Sequence, residues 1–328
     1  MKIGILGDED SGKRLAHHLN EAGVSAEFIS PGLRKNPVGF LRLHSYDILH
    51  GIYMRRFVFL SLIFGRLLGK ATICHWEGTD VMKAIRETEF RSMGLILNRF
   101  VKLNIVFSEN LQKELKNIGI DSVVWPIPVD SDYFATDELP PMPKEFSVLV
   151  KVADDQLYGS SIVFELVKDL PNVKFLVVSG QDVQPSWLLS KIGKTKNLTY
   201  LGWKDNMLEI YKRSTVLLRL TKHDGLSYMV IESLALGRQV VWSHNFLPHC
   251  HYVKNYGQVK KAILEIQRNP KLNVEGAQYV RKNFSSRYMI RELIKIYNKC
   301  WYPNNTVLEA EEADTVFLAR QTLSHKYQ

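Results

Sequence analysis

Apolar residues in this chain fall into short runs separated by stretches in which they recur every third or fourth position. Lys2–Gly7, Ser25–Ser30, Tyr46–Tyr53, Ala71–Trp76, Leu103–Ser108 and Ser122–Trp125 have the length and character of strands, with helical segments between them. The alternation restarts at Phe146–Val152 and continues through Val173–Ser179, Leu198–Trp203, Val216–Leu220 and Val240–Ser243. Strand and helix in regular alternation predict parallel, doubly wound α/β sheets, because neighbouring parallel strands need a crossover long enough to hold a helix. Between the two series lies Glu138-Leu-Pro-Pro-Met-Pro143, which can neither extend a helix nor pair in a central strand. It reads as a linker, with the boundary near 135 to 145.

The most informative stretch runs from Arg219 to Ser243. Val216–Leu220 is a strand, Thr221–Gly225 a polar turn, and Ser227 a helix cap ahead of the apolar stripe Met229, Val230, Ile231, Leu234 and Ala235. Gly237 stands where a left-handed helix stop is wanted, and Gln239–Trp242 returns as a strand. Such a unit points the amides of Tyr228, Met229 and Val230 out of the strand ends, where a helix N-terminus attracts phosphate. Asp224 and Glu232 flank that site eight residues apart.

Composition narrows the class. The 328 residues are 45% hydrophobic, enough for two domains. Cys74, Cys250 and Cys300 are too few and too scattered for a disulfide framework, so a reducing, cytoplasmic compartment is expected. No run is long enough to span a bilayer, Phe57–Gly65 being about half of what is needed. The net charge of +9 is uneven: residues 34 to 102 hold 12 Lys and Arg against 5 Asp and Glu. An anionic partner follows from that excess. Arg55, Arg56, Arg66 and Lys70 rim the apolar helix Met54–Leu68, a combination that also suits the headgroup layer of an anionic membrane, so peripheral attachment at the inner membrane face is one expectation. No zinc spacing or RNA-binding signature favours nucleic acid.

Two tempting motifs fail. Gly7-Asp-Glu-Asp-Ser-Gly-Lys-Arg14 nearly spells the phosphate loop of nucleoside triphosphatases, but Arg14 replaces the magnesium-holding hydroxyl and three acids would repel a triphosphate. Gly12 in this turn instead suits close backbone approach to a hydroxylated ligand. His244, His249 and His251 with Cys250 lack a compact fourth zinc ligand, so no metal is expected.

Asp224-x7-Glu232, within His-Asp-Gly-Leu-Ser and ahead of Leu-Ala-Leu-Gly-Arg-Gln-Val-Val, resembles the Glu-x7-Glu segment of GT-B fold, retaining glycosyltransferases of the family 4 or group 1 type. Asp224 stands where that family has its first Glu. His75-Trp-Glu-Gly-Thr-Asp80 is similar to the family's His/Trp-x-Gly-Ser/Thr-Asp segment, and Phe107–Leu115 to its Ser-x-x-Leu helix start. Trp125–Phe134 looks like Ile-Pro-Asn-Gly-Val-Asp-x-x-x-Phe, with Ile127 and Pro128 in place of Asn and Gly. Gly276–Ser285 resembles the family's Phe-Ser ending. Tyr158-Gly159 departs from the usual Lys-Gly.

The resemblance covers residues 1 to 301. It implies two Rossmann-like domains facing a cleft: an acceptor-side domain at 1–140 and a nucleotide-sugar domain at 141–301 whose last helix crosses back, followed by a tail at 302–328 with an acidic segment. The implied chemistry is transfer of a sugar from a nucleotide-diphosphate sugar to a hydroxyl of a carbohydrate or lipid-linked acceptor, with retention, in glycan, polysaccharide or glycolipid biosynthesis. The donor is a co-substrate, with no other cofactor and no metal. Asp224 would orient the transferred sugar, with His75 as a second catalytic candidate. Glu232 would hold the ribose; Gly225, Leu226 and Ser227 would present amides to the phosphates; Lys151 or Lys222 would supply charge. Gly12 and Asp80 would line the acceptor side with His75. The alternatives are a catalytically degenerate protein that only binds nucleotide or glycan, and a sugar-nucleotide epimerase.

Overall fold

The computed structural model describes residues 1–30, 40–126, 128, 129, 133, 138–153, 157–180, 185–192 and 195–301. Ile127 and the acidic tail lie outside the described residues. In chain order the first lobe contains β1 (Lys2–Gly7), α1 (Glu9–Glu21), β2 (Ser25–Ile29), β3 (Ile48–Ile52), α2 (Arg56–Leu67), β4 (Ala71–Trp76), α3 (Thr79–Arg86), α4 (Thr88–Phe100), β5 (Leu103–Val106), α5 (Glu109–Asn117) and β6 (Val123–Val124). The second contains β7 (Ser147–Val152), α6 (Ser160–Asp169), β8 (Lys174–Ser179), α7 (Pro185–Ile192), β9 (Leu198–Gly202), α8 (Leu208–Lys212), β10 (Val216–Arg219), α9 (Tyr228–Ala235), β11 (Gln239–Trp242), β12 (His251–Tyr252) and α10 (Tyr256–Arg268). Two helices close the described chain, α11 (Val274–Phe284) and α12 (Ser286–Trp301).

The two sheets have six parallel strands each, ordered β2-β1-β3-β4-β5-β6 and β12-β11-β10-β7-β8-β9. The expected alternation is therefore present in both halves, with β12 as a short edge strand that the sequence does not announce. The order reverses between β1 and β3 and again between β7 and β10. Such switch points open a crevice at the carboxyl ends of the strands, where open α/β sheets bind ligands.

The second sheet separates two apolar cores. Val148, Val150 and Val152 of β7 and Val216 and Leu218 of β10 pack with α6, α7 and α10, whereas Leu149 and Leu217 join α9, α12 and the first lobe. Alternate strand residues must point to opposite faces, so this division fixes where each later side chain emerges.

The chain crosses between lobes twice. At the first crossing Arg238, fully buried, donates to the Pro140 and Pro141 carbonyls at 3.1 Å each, pinning the linker to the second lobe. Burial without a carboxylate lowers the Arg238 guanidinium to about 10. At the second crossing Ser285 separates α11 from α12 and forms a parallel bridge with Val129 of the first crossing. Trp125 then donates its indole N–H to the Met289 carbonyl at 3.0 Å, and α12 lies against the first lobe.

A buried polar chain fastens α12 to the first sheet. The Tyr297 hydroxyl meets His50 Nδ1 at 2.6 Å, and His50 Nε2 meets His75 Nδ1 at 3.3 Å, all three residues being 0% exposed. Burial pushes His50 down to about 3, and His75 well below its ordinary value. Neither ring is protonated near pH 6.5 in the folded protein, whereas both titrate there when unfolded. The unfolded state then binds more protons, so stability falls as pH drops below about 6.5. The melting midpoint is expected to decline from about pH 6.5 toward about pH 4, and His50→Gln, which takes up no proton, makes that decline shallower. An unchanged slope in the variant would contradict this account.

Candidate active site

The second switch point builds the site from strand parity. Leu149 and Leu217 face α9, so Lys151 and Arg219, two residues further along, emerge on that face as well. β7 and β10 pair with Leu218 opposite Val150, which makes the two cations neighbours. Tyr158 lies between them, its ring centroid 5.5 Å from Lys151 Nζ and 5.4 Å from Arg219 Cζ. The ring is held by an antiparallel bridge from Tyr158 to Thr221, with the Gly159 amide donating to Leu220 O at 2.7 Å and the Lys222 amide to Leu157 O at 2.8 Å. Tyrosine at the expected lysine position thus becomes an aromatic platform for cations from two strands.

Beyond β10 the chain turns into α9. Ser227 is the N-cap, although its side chain makes no capping bond, and Gly237 at φ +69° stops the helix as expected. Of the three amides expected to point outward, Val230 N–H bonds Ser227 O at 3.1 Å. The Tyr228 and Met229 amides are left without a hydrogen-bond partner among the described residues. Leu226 and Ser227 are buried beside them, and Lys222 lies exposed at the rim.

The two carboxylates are both engaged. Asp224 receives Arg219 Nε at 2.9 Å, Arg219 Nη2 at 3.2 Å and the Thr221 hydroxyl at 3.0 Å. This largely buried, two-pronged pair is one whose breakage from either side costs roughly 3–5 kcal/mol. It corrects the expectation of an Asp224 carboxylate open to a sugar. Glu232, 4% exposed, accepts from the Tyr211 hydroxyl at 2.7 Å and faces Arg14 Nη1 of the first lobe at 3.4 Å. The loop that carries Asp224 nonetheless meets the first lobe: Asn110 Nδ2 donates to the Asp224 backbone carbonyl at 2.9 Å, and His223 meets Glu114 at 2.9 Å. Gly225 is required here by close approach, since a Cβ would sit 2.9 Å from the Glu77 carbonyl oxygen and from Leu111 Cδ1.

The first lobe differs more from expectation. Gly12 is inside the first turn of α1 and packs on Phe28, where a Cβ would lie 2.5 Å from the ring. Gly7 is the turn glycine instead, at φ +113°. Asp8 caps α1 by accepting from the Ser11 amide at 3.2 Å, and Glu9 and Asp10 occupy its first turn. The acids following β1 are therefore helix-start residues that complement the dipole. Asp80 is spent on four amides, those of Met54 at 2.8 Å and of Glu77, Gly78 and Val81 at 3.0 Å, so it fastens a turn. His75 packs against Phe107 and Trp125 in the core rather than lining the cleft.

What borders the second lobe instead is Glu77, which accepts the Ser11 hydroxyl at 2.6 Å. Burial foremost, and then the Asp8 charge, raise its carboxyl to about 8, leaving it a neutral acid at pH 7. The sequence motifs give no site role to Glu77, Ser11, Arg14, Tyr211 or Arg219, although Ser11, Arg14 and Glu77 lie within two of them. Only for Arg219 does the sequence hold a signal, the parity of its strand.

The histidines after β11 do not assemble a metal site. His244 stacks on Phe246, His249 pairs with Glu275 at 3.3 Å, and His251 bonds Gln239 at 3.1 Å. His17, His18 and Glu21 on α1 bring ligand atoms within 4.8 Å of one another, but there Glu21 already contacts both rings.

No family model and no curated protein matches the chain. Solved structures do. The chain is similar to the Anabaena protein HepE in complex with UDP and glucose, at 12% identity and a TM-score of 0.72, over 91% of this chain and 99% of that one. Sucrose-phosphate synthase from Thermosynechococcus elongatus gives 14% and 0.72, over 93% and 100%. AviGT4, a glycosyltransferase involved in avilamycin A biosynthesis, gives 12% and 0.61, over 92% and 98%. At such identities the likeness is one of architecture, and what it establishes is that this chain has the GT-B fold.

Proposed function

We propose that this protein is a glycosyltransferase that moves a sugar from a nucleotide-diphosphate sugar to an acceptor hydroxyl, with retention and without a metal, in the assembly of a glycan or glycolipid. The observation that carries the reading is the start of α9: two unpartnered amides, with Lys151 and Arg219 emerging on the same face and Glu232 one turn further on. Amides at a positive helix end and nearby cations are what a departing diphosphate needs, and a fixed donor of this kind is worth about 3 kcal/mol in barrier. Similar folds hold UDP with glucose in HepE and UDP with GlcNAc in a pneumococcal O-GlcNAc transferase, which supports a nucleotide-sugar donor.

In this reading Glu232 accepts from the ribose hydroxyls and Lys151 and Arg219 neutralise phosphate, while Asp224 sets the Arg219 guanidinium in place. The acceptor enters beside Ser11 and Glu77, and neutral Glu77 donates a hydrogen bond to an acceptor oxygen. A binding-only protein is the second reading, favoured by the missing Lys-Gly pair and the engaged carboxylates; tight donor binding with no transfer and no donor hydrolysis would support it.

No helix among the described residues is long and apolar enough to cross a membrane. Leu60 and Leu67 of α2 and Leu95, Ile96 and Phe100 of α4 are nonetheless exposed on two helices that touch, and the reading includes docking of this basic, apolar face on an anionic membrane.

Three measurements test these points. Glu232→Ala is expected to weaken UDP-sugar binding roughly 10- to 100-fold by calorimetry, the loss of a charged hydrogen bond; unchanged affinity removes the ribose assignment. Transfer or donor hydrolysis declines as pH rises through about 8, where Glu77 loses its proton, and Glu77→Gln, a permanent donor, abolishes that decline. Co-sedimentation with phosphatidylglycerol vesicles, absent with phosphatidylcholine and lost in Leu67→Asp, checks the membrane face.

A further inference from the structure

A cavity of about 480 Å³ opens at the carboxyl ends of β7, β10 and β11, on the face of the second sheet covered by α6, α7 and α10. Its volume is that of a small-molecule site. It is separate from the donor site, because Lys151 and Arg219 emerge on the opposite, α9 face. Tyr158 and Thr221 line the cavity while the Tyr158 ring contacts both cations, so the bridge between these two residues is the dividing wall. Lys222, one residue past the bridge, lines the cavity and stands apart from the cations assigned to the donor.

Donors without partners line it. Ser161 and Ile162 lie in the first turn of α6, a helix of 10 residues, and their amides have no hydrogen-bond partner among the described residues. The Trp187 indole nitrogen is buried and makes no hydrogen bond, although a buried indole N–H ordinarily finds one. Among the described residues the Lys222 ammonium has no ion pair, and Lys254 Nζ meets the Tyr252 ring at 5.5 Å. No carboxylate is among the described lining residues. A positive helix end, an unanswered indole N–H and two ammonium groups call for an acceptor-rich anion. Ile162, Val253 and Val259, beside the rings of Tyr158 and Trp187, call for a ring-bearing body on the same molecule.

We propose that this cavity is a second ligand site and takes a phosphate monoester, its phosphate held by the Ser161 and Ile162 amides and Lys222, its sugar or nucleoside body along Trp187. The site is complete within the second lobe and needs nothing from the first. It is also fixed before any ligand arrives. Ser160 Oγ donates to the Ala153 carbonyl at 2.9 Å and the Gly159 amide to the Leu220 carbonyl at 2.7 Å, which sets the start of α6 against the strand ends. Ser243 Oγ accepts the Thr221 amide at 2.9 Å and donates to the Thr221 carbonyl at 2.8 Å, which holds the dividing wall.

The test titrates the full chain by calorimetry with glucose 6-phosphate and AMP, against glucose, adenosine and inorganic phosphate. At least one ester binds, and its uncharged counterpart binds at least about tenfold more weakly. Which ester binds tells a sugar body from a nucleoside one. Ser161→Asp sets a carboxylate against the phosphate, yet in the first turn of a helix that charge favours folding. Its melting midpoint is therefore held or raised while ester affinity falls at least about tenfold. Lys151→Gln, on the donor face, leaves ester affinity unchanged. Binding that survives Ser161→Asp, or that is lost in Lys151→Gln, puts the ester elsewhere and overturns the proposal. So does a wild type that binds neither ester, or one that binds inorganic phosphate as tightly as the esters, since the walls of the cavity then contribute nothing.

Discussion

Side-chain alternation along β7 and β10 is the constraint on which the site depends. With Leu149 and Leu217 committed to the core under α9, Lys151 and Arg219 have no other face on which to emerge. Two cations side by side on parallel strands repel each other, and the surrounding residues answer that repulsion. Asp224 receives both prongs of Arg219, Tyr158 offers its ring to both cations, and the Tyr158–Thr221 bridge holds that ring over the strand ends. The polar loop at 221–225 is thereby shaped by the charge it neutralises as much as by the helix it precedes.

The lobes meet through a mixture of apolar and polar contacts. One apolar core runs from β1 through α12 and up to α9, and Phe107 lies edge-on to Tyr228 at 5.8 Å. Over this seam lie the Asn110 bond to the Asp224 carbonyl, the His223–Glu114 contact and the Arg14–Glu232 pair. Apolar contact is indifferent to small sliding, whereas hydrogen bonds fix register. The polar contacts gather around α9 and its preceding loop, so register between the lobes is set at the place assigned to the donor.

The fold was legible because central parallel strands are covered on both faces and read as unbroken apolar runs, as in Ile48–Ile52 and Ala71–Trp76. That same property hid the role of His75: a strand buried on both sides gives no parity by which to tell cleft from core. Local devices were legible too, such as Gly237 as a helix stop. The turn from Gly7 to Arg14 looks like a ligand loop in sequence, but only Asp8 separates β1 from α1, so its acids are helix-start residues. Arg14 was opaque for another reason. Its contact with Glu232 spans 218 residues of chain, and no local pattern encodes such a pairing.

The parallel bridge between Val129 and Ser285 joins the two crossings of the chain. Arg238 secures Pro140 and Pro141 to the second lobe. Pairing these two segments braces each against sliding past the other, because neither can shift along its length without breaking the bridge. A crossing braced in this way helps hold the lobes in one register, which matters where the groups that meet are single side chains on opposite lobes, as Arg14 and Glu232 are.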